Sequence, residues 1–120
     1  PIFWPQSGEY ANTTFFISDD NALEKMQFDA RLGSINELAL FSDGLQMLTL
    51  QHDTQTTYQP FFQPMFERLR QEPQGESKNL SQALRDFLNS PPVNERTDDE
   101  KTLILATRQS STSVGFSDVR

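Results

Sequence analysis

The chain has no cysteine, which excludes disulfides and thiolate metal centres and fits a reducing compartment. It also has no basic run interleaved with aromatic residues. Seventeen Asp and Glu against ten Lys and Arg leave a formal net charge of -7. A protein that reads a phosphate backbone needs the opposite balance, so no nucleic-acid partner is expected. No apolar run approaches the roughly 20 residues that cross a bilayer, so a soluble, cytoplasmic protein without a membrane partner is expected. Apolar residues are scarce overall, at 35% of the chain with a mean hydropathy of -0.61. A length of 120 residues suits one domain, and the thin apolar content predicts a modest core or a missing partner segment. What the chain does have is ten Phe residues, which bury large areas where they cluster.

In chain order, Pro1 to Glu9 reads as an extended entry anchored by Ile2, Phe3 and Trp4. Thr13 to Ser18 is β-branched and aromatic and predicts a strand. Asp19, Asp20 and Asn21 predict the cap of a short helix over Ala22 to Met26, with the acids solvated. Phe28 to Leu32 alternates and predicts a short strand closed by Gly33-Ser34, and Ile35 to Phe41 is a stronger one. After Gly44 the spacing of Leu45, Met47, Leu48 and Leu50 fits one or two helical turns. His52, the one histidine, lies in a polar stretch and is assigned no role. Phe61, Phe62, Met65, Phe66 and Leu69 predict an amphipathic helix to about Arg70. Leu80, Leu84, Phe87 and Leu88 predict a second, capped by Ser77 or Asn79 and stopped by Ser90-Pro91-Pro92. A last strand is predicted over Thr102 to Thr107, and residues 109–120 read as a mobile Ser-rich tail beyond a domain of residues 1–108.

Two acidic stations flank the strongest strands. Leu38 to Phe41 runs into Ser42-Asp43-Gly44, and Asp98-Asp99-Glu100-Lys101 runs into Thr102 to Ala106. If those strands are antiparallel neighbours, Asp43 and Asp99 meet at one end of the sheet, where two hard carboxylates could hold a hydrated Mg or Mn ion. Taken alone, Ser42-Asp43-Gly44 is a turn in which Gly44 supplies a positive φ, and Arg96 pairs with Asp98.

Three segments together carry a resemblance. They are Gly8 to Thr14 (GEYANTT), Phe41 to Gln46 (FSDGLQ), and Phe87 to Pro91 (FLNSP) with Val93 to Leu103 (VNERTDDEKTL). In this order the chain resembles the C-terminal half of a metal-dependent serine/threonine phosphatase domain of the protein phosphatase 2C family, in a compact bacterial branch. The resemblance implies an α+β fold, part of that family's α/β/β/α sandwich, with antiparallel strands and the two longer helices packed on one face. It implies that Asp43 and Asp99 are metal ligands, with Asp98, Glu100 and Gly44 as alternative or supporting positions. Glu100 stands where the family commonly has Asn or Asp, and the family's N-terminal Asp-Gly metal motif has no counterpart in these residues.

The implied activity is hydrolysis of phosphoserine or phosphothreonine in a protein substrate by a water activated between two Mn or Mg ions. This chain would supply part of the metal site and would be inactive alone, completed by the N-terminal half of the same domain or by a complementing chain. A non-catalytic phosphatase-like module that binds a partner protein is the alternative.

Overall fold

The computed structural model describes residues 1–5 and 15–109. The expected strand residues Thr13 and Thr14, the GEYANTT motif and the tail from residue 110 onward lie outside these. The architecture is α+β. A short helix α1 (Ala22–Lys25) precedes strand β1 (Glu37–Phe41), a 3-10 turn (Asp43–Leu45) and helix α2 (Gln46–Thr49). A small hairpin of β2 (Leu50–Gln51) and β3 (Thr56–Thr57) leads to α3 (Gln59–Leu69), α4 (Lys78–Leu88), α5 (Pro91–Asn94) and β4 (Leu103–Thr107).

β1 and β4 pair antiparallel, with Glu37 opposite Thr107 and Phe41 opposite Leu103. The period-two alternation of a strand turns Ala39 and Phe41 to the same face as Leu103 and Leu105. There they join Leu45, Leu48, Phe62, Phe66, Leu88 and Val93 in one apolar cluster. The expected helical stripe on α3 is therefore core: Phe62 lies 5.9 Å from the Phe41 ring and 5.1 Å edge-on from Phe61. Phe61 in turn reaches Phe87 of α4 at 6.0 Å, which ties the two longer helices together over one face of the sheet. Ser77 caps α4 through its hydroxyl, accepting from the Leu80 amide at 3.3 Å.

Two sequence-based expectations fail for local reasons, and a third holds with an addition. Phe15 to Ser18 is not a strand: Ile17-Ser18 form a turn closed by the Asp19 amide on the Phe16 carbonyl at 3.0 Å, and the Asp19 carboxylate accepts from the Phe16 amide at 3.0 Å. That bond offers the backbone an alternative to a ladder. Phe28 to Leu32 has no partner strand among the described residues, and its alternation instead sets Asp29 and Arg31 in an ion pair at 2.6 Å. Ser90-Pro91-Pro92 ends α4 but also begins α5, because proline loses nothing at a first helical turn whose amides lack partners anyway. His52 sits in the turn of the small hairpin, its ring edge-on to Trp4 at 5.2 Å.

Leu45 is fully buried and joins the end of β1 to the core. Leu45→Ala should cost about 2–5 kcal/mol, read as a lowered urea midpoint in the full-length protein; an unchanged midpoint would contradict this packing.

Candidate functional site

The register that pairs Phe41 with Leu103 continues for one more step, because the Ser42 amide donates to the Thr102 carbonyl at 3.1 Å. Beyond it the two chains diverge into the acidic stations. On one side the Leu45 amide bonds the Ser42 carbonyl at 3.1 Å and closes the 3-10 turn that carries Asp43. On the other, the Asp99 carboxylate accepts from the Glu100 amide at 2.8 Å and the Thr97 hydroxyl accepts from the Asp99 amide at 3.4 Å. Lys101 folds back to donate to the Asp99 carbonyl at 3.4 Å.

The stations touch at Gly44. A Cβ placed on this glycine would lie 3.2 Å from the Asp99 Cβ and well inside the van der Waals contact of the Glu100 carbonyl oxygen. Only a residue without a side chain allows that approach. The reading of Gly44 as a positive-φ turn residue is corrected here: its φ is not positive, and positive-φ glycines occur at Gly33 and Gly75 instead. Close backbone packing is what the position requires.

Asp43 and Asp99 therefore stand in stations at the same end of the β1–β4 pair, which touch at Gly44. Both are exposed, and among the described residues neither enters an ion pair. Asp98 and Glu100 are also exposed in the same loop. Arg96 does not pair with Asp98; it lines the apolar groove between α3 and α4. No group of three or more His, Asp or Glu positioned to hold a metal occurs among the described residues. The acids at this end offer oxygen donors only, the kind of donor that a hard divalent ion prefers.

Sequence reasoning missed Ser42. Its hydroxyl accepts from the Thr102 amide at 3.0 Å and donates to the Glu100 carbonyl at 2.9 Å. A hydroxyl residue between a strand and a turn of helix was the available signal, since that is the N-cap position of the 3-10 turn.

A family model described as protein phosphatase 2C matches residues 1–89, so the chain belongs to the protein phosphatase 2C family. Over 102 residues it is 43% identical to serine/threonine-protein phosphatase 3 of Escherichia coli (strain K12), a match covering 85% of this chain and 40% of that relative. The chain thus spans well under half the length of the relative it matches. Asp43 falls within the family-matched span and Asp99 beyond it. No solved structure gives a significant match.

Gly44→Ala should force the Asp99-Glu100 peptide away and lower stability by about 1–3 kcal/mol, as overpacking does. Thermal unfolding of the full-length protein checks it, and a midpoint equal to wild type would show that the approach is not tight.

Proposed function

We propose that this chain supplies one metal-holding station of a Mn- or Mg-dependent serine/threonine protein phosphatase. The observation that carries the reading is the placement of the Asp43 and Asp99 stations at one end of the β1–β4 pair, in contact through Gly44, in a chain of the protein phosphatase 2C family. The name of the E. coli relative supports a protein phosphatase activity. The reading extends to two ions in the complete domain, a phosphorylated protein as substrate and a cytoplasmic setting. It treats residues 1–108 as the C-terminal portion of the domain and 109–120 as a tail.

Asp43 and Asp99 would hold one ion through carboxylate oxygens, with Asp98 as the alternative to Asp99 and Glu100 beside it. When bound, the divalent ions supply an activated water and positive charge for the phosphoryl oxygens. The chain's own contribution is placement. The 3-10 turn fixes Asp43 at the end of β1, and the Glu100 amide bonded to the Asp99 carboxylate limits how that side chain can turn. Exposure of both acids leaves room for water in the shell, as Mg and Mn prefer.

The outer face of the sheet bears on completeness. Leu38, Leu40 and Ile104 are 49%, 62% and 55% exposed on the side away from the helices, and β1 and β4 pair only with each other among the described residues. An apolar face with open edges favours a covering layer. The N-terminal half of the same domain, or a complementing chain, would provide it together with the remaining metal ligands, so the isolated chain is expected to be inactive. The same face also suits the second reading, a non-catalytic module that binds a partner protein.

Phosphate release from a phosphothreonine peptide by the full-length protein separates the two. Outer-shell changes at metal sites cost about 10- to 100-fold, so Asp43→Asn and Asp99→Asn, at the ligands themselves, should each lower Mn-dependent turnover by at least ~100-fold. Wild-type rates in both variants would remove these residues from the mechanism, and no metal-dependent release by the unsubstituted protein would favour the binding module.

A further inference from the structure

Ser42 occupies a point where the strand ladder and a 3-10 turn both call on one carbonyl. In the register of β1 and β4, Ser42 and Thr102 form a hydrogen-bonded antiparallel pair, which ordinarily exchanges two amide-to-carbonyl bonds. Only one of these forms, from the Ser42 amide to the Thr102 carbonyl at 3.1 Å. The Ser42 carbonyl is taken by the Leu45 amide, which starts the 3-10 turn carrying Asp43. The Ser42 hydroxyl substitutes for that carbonyl, accepting from the Thr102 amide at 3.0 Å. Its own proton goes to the Glu100 carbonyl at 2.9 Å, the same oxygen that packs against Gly44.

We propose that Ser42 is a positioning residue for the acidic pair, its hydroxyl locking the Asp99-Glu100 peptide to the turn that presents Asp43. The proposal rests on the metal reading above and adds a device to it. Without the hydroxyl, the end of β1 keeps only the bond from the Ser42 amide to the Thr102 carbonyl. The Thr102 amide then loses its protein acceptor, and the Glu100 carbonyl loses the donor that keeps it over Gly44. The separation of Asp43 and Asp99 is then no longer set by the sheet. Ser42 touches neither substrate nor ion in this scheme; it acts through the peptide next to Asp99.

The test is Mn affinity measured by calorimetry on the full-length protein, alongside the unfolding midpoint. Ser42→Ala should weaken Mn binding about tenfold, the lower end of what outer-shell changes cost, while Ser42→Thr, which retains the hydroxyl, should stay within about twofold of wild type. Ser42→Cys, similar in shape but a weak donor and acceptor, carries the same expectation if the alanine variant does not fold. Ala39→Gly weakens the same strand without touching the hydroxyl, and it should lower the midpoint while leaving the Mn affinity unchanged. Equal affinity in Ser42→Ala (or Ser42→Cys) and wild type overturns the proposal alone. So does an equal loss in Ala39→Gly, which would mean the hydroxyl acts only through strand stability. Absence of Mn binding by the unsubstituted protein overturns the metal reading and the proposal with it.

Discussion

Where a strand ends in a helical turn, its last carbonyl is directed to the turn, and the neighbouring strand's amide needs another acceptor. At the end of β1 this conflict falls on Ser42, and the side-chain hydroxyl resolves it. The rest of the acidic end depends on that resolution. The 3-10 turn can form at once after the strand, Asp43 projects from its first residue, and the Glu100 carbonyl is drawn close enough to demand glycine at position 44. Hydrogen bonds on this scale contribute about 0.5–1.5 kcal/mol each, and at an exposed residue such as Thr102 water can replace a lost partner. Geometry, more than raw stability, is what the hydroxyl supplies.

The core behind this end is small and one-sided. Aromatic and aliphatic residues from α2, α3, α4, α5, β1 and β4 meet on the inner face of a two-stranded sheet. Its outer face shows Leu38, Leu40 and Ile104 to solvent. The scarcity of apolar residues is therefore accompanied by poor use of those present, since many large ones, including Phe28 and Leu32, also stand exposed. Apolar burial is the main favourable contribution to folding, so this distribution fits a unit that gains stability from a further layer. The membership in a family whose matched relative is much longer is in keeping with that.

Much of this organisation was legible in the residues. The stripes Phe61 to Leu69 and Leu80 to Leu88 have helical period, and they became α3 and α4 on one face of the sheet. Ile35 to Phe41 and Thr102 to Thr107 carry uninterrupted strand character, and pairing trimmed each only at its first residues. Where reading failed, a local interaction outweighed pattern. Asp19 captured the backbone at Phe16, and Phe28 to Leu32 lacks a described neighbour to pair with. Pro91-Pro92 stopped α4 as expected and, beyond the expectation, opened α5. Gly44 illustrates a different limit. Its identity was visible, but whether it answers to φ or to contact depends on Glu100, 56 residues away in the chain and invisible to any local rule. Spacing alone could bring Asp43 and Asp99 together but left Ser-Asp-Gly as a turn; the resemblance to protein phosphatase 2C turned the pair into proposed ligands.

That Asp43 and Asp99 share one metal ion is the central claim, and paramagnetic broadening by Mn addresses it without relying on activity. Substoichiometric Mn added to the 15N-labelled full-length protein should broaden the amide signals of Asp43-Gly44 and Asp99-Glu100 together and at the same concentration. Broadening at only one station, or at Asp19-Asp20 while both stations stay sharp, would contradict the account.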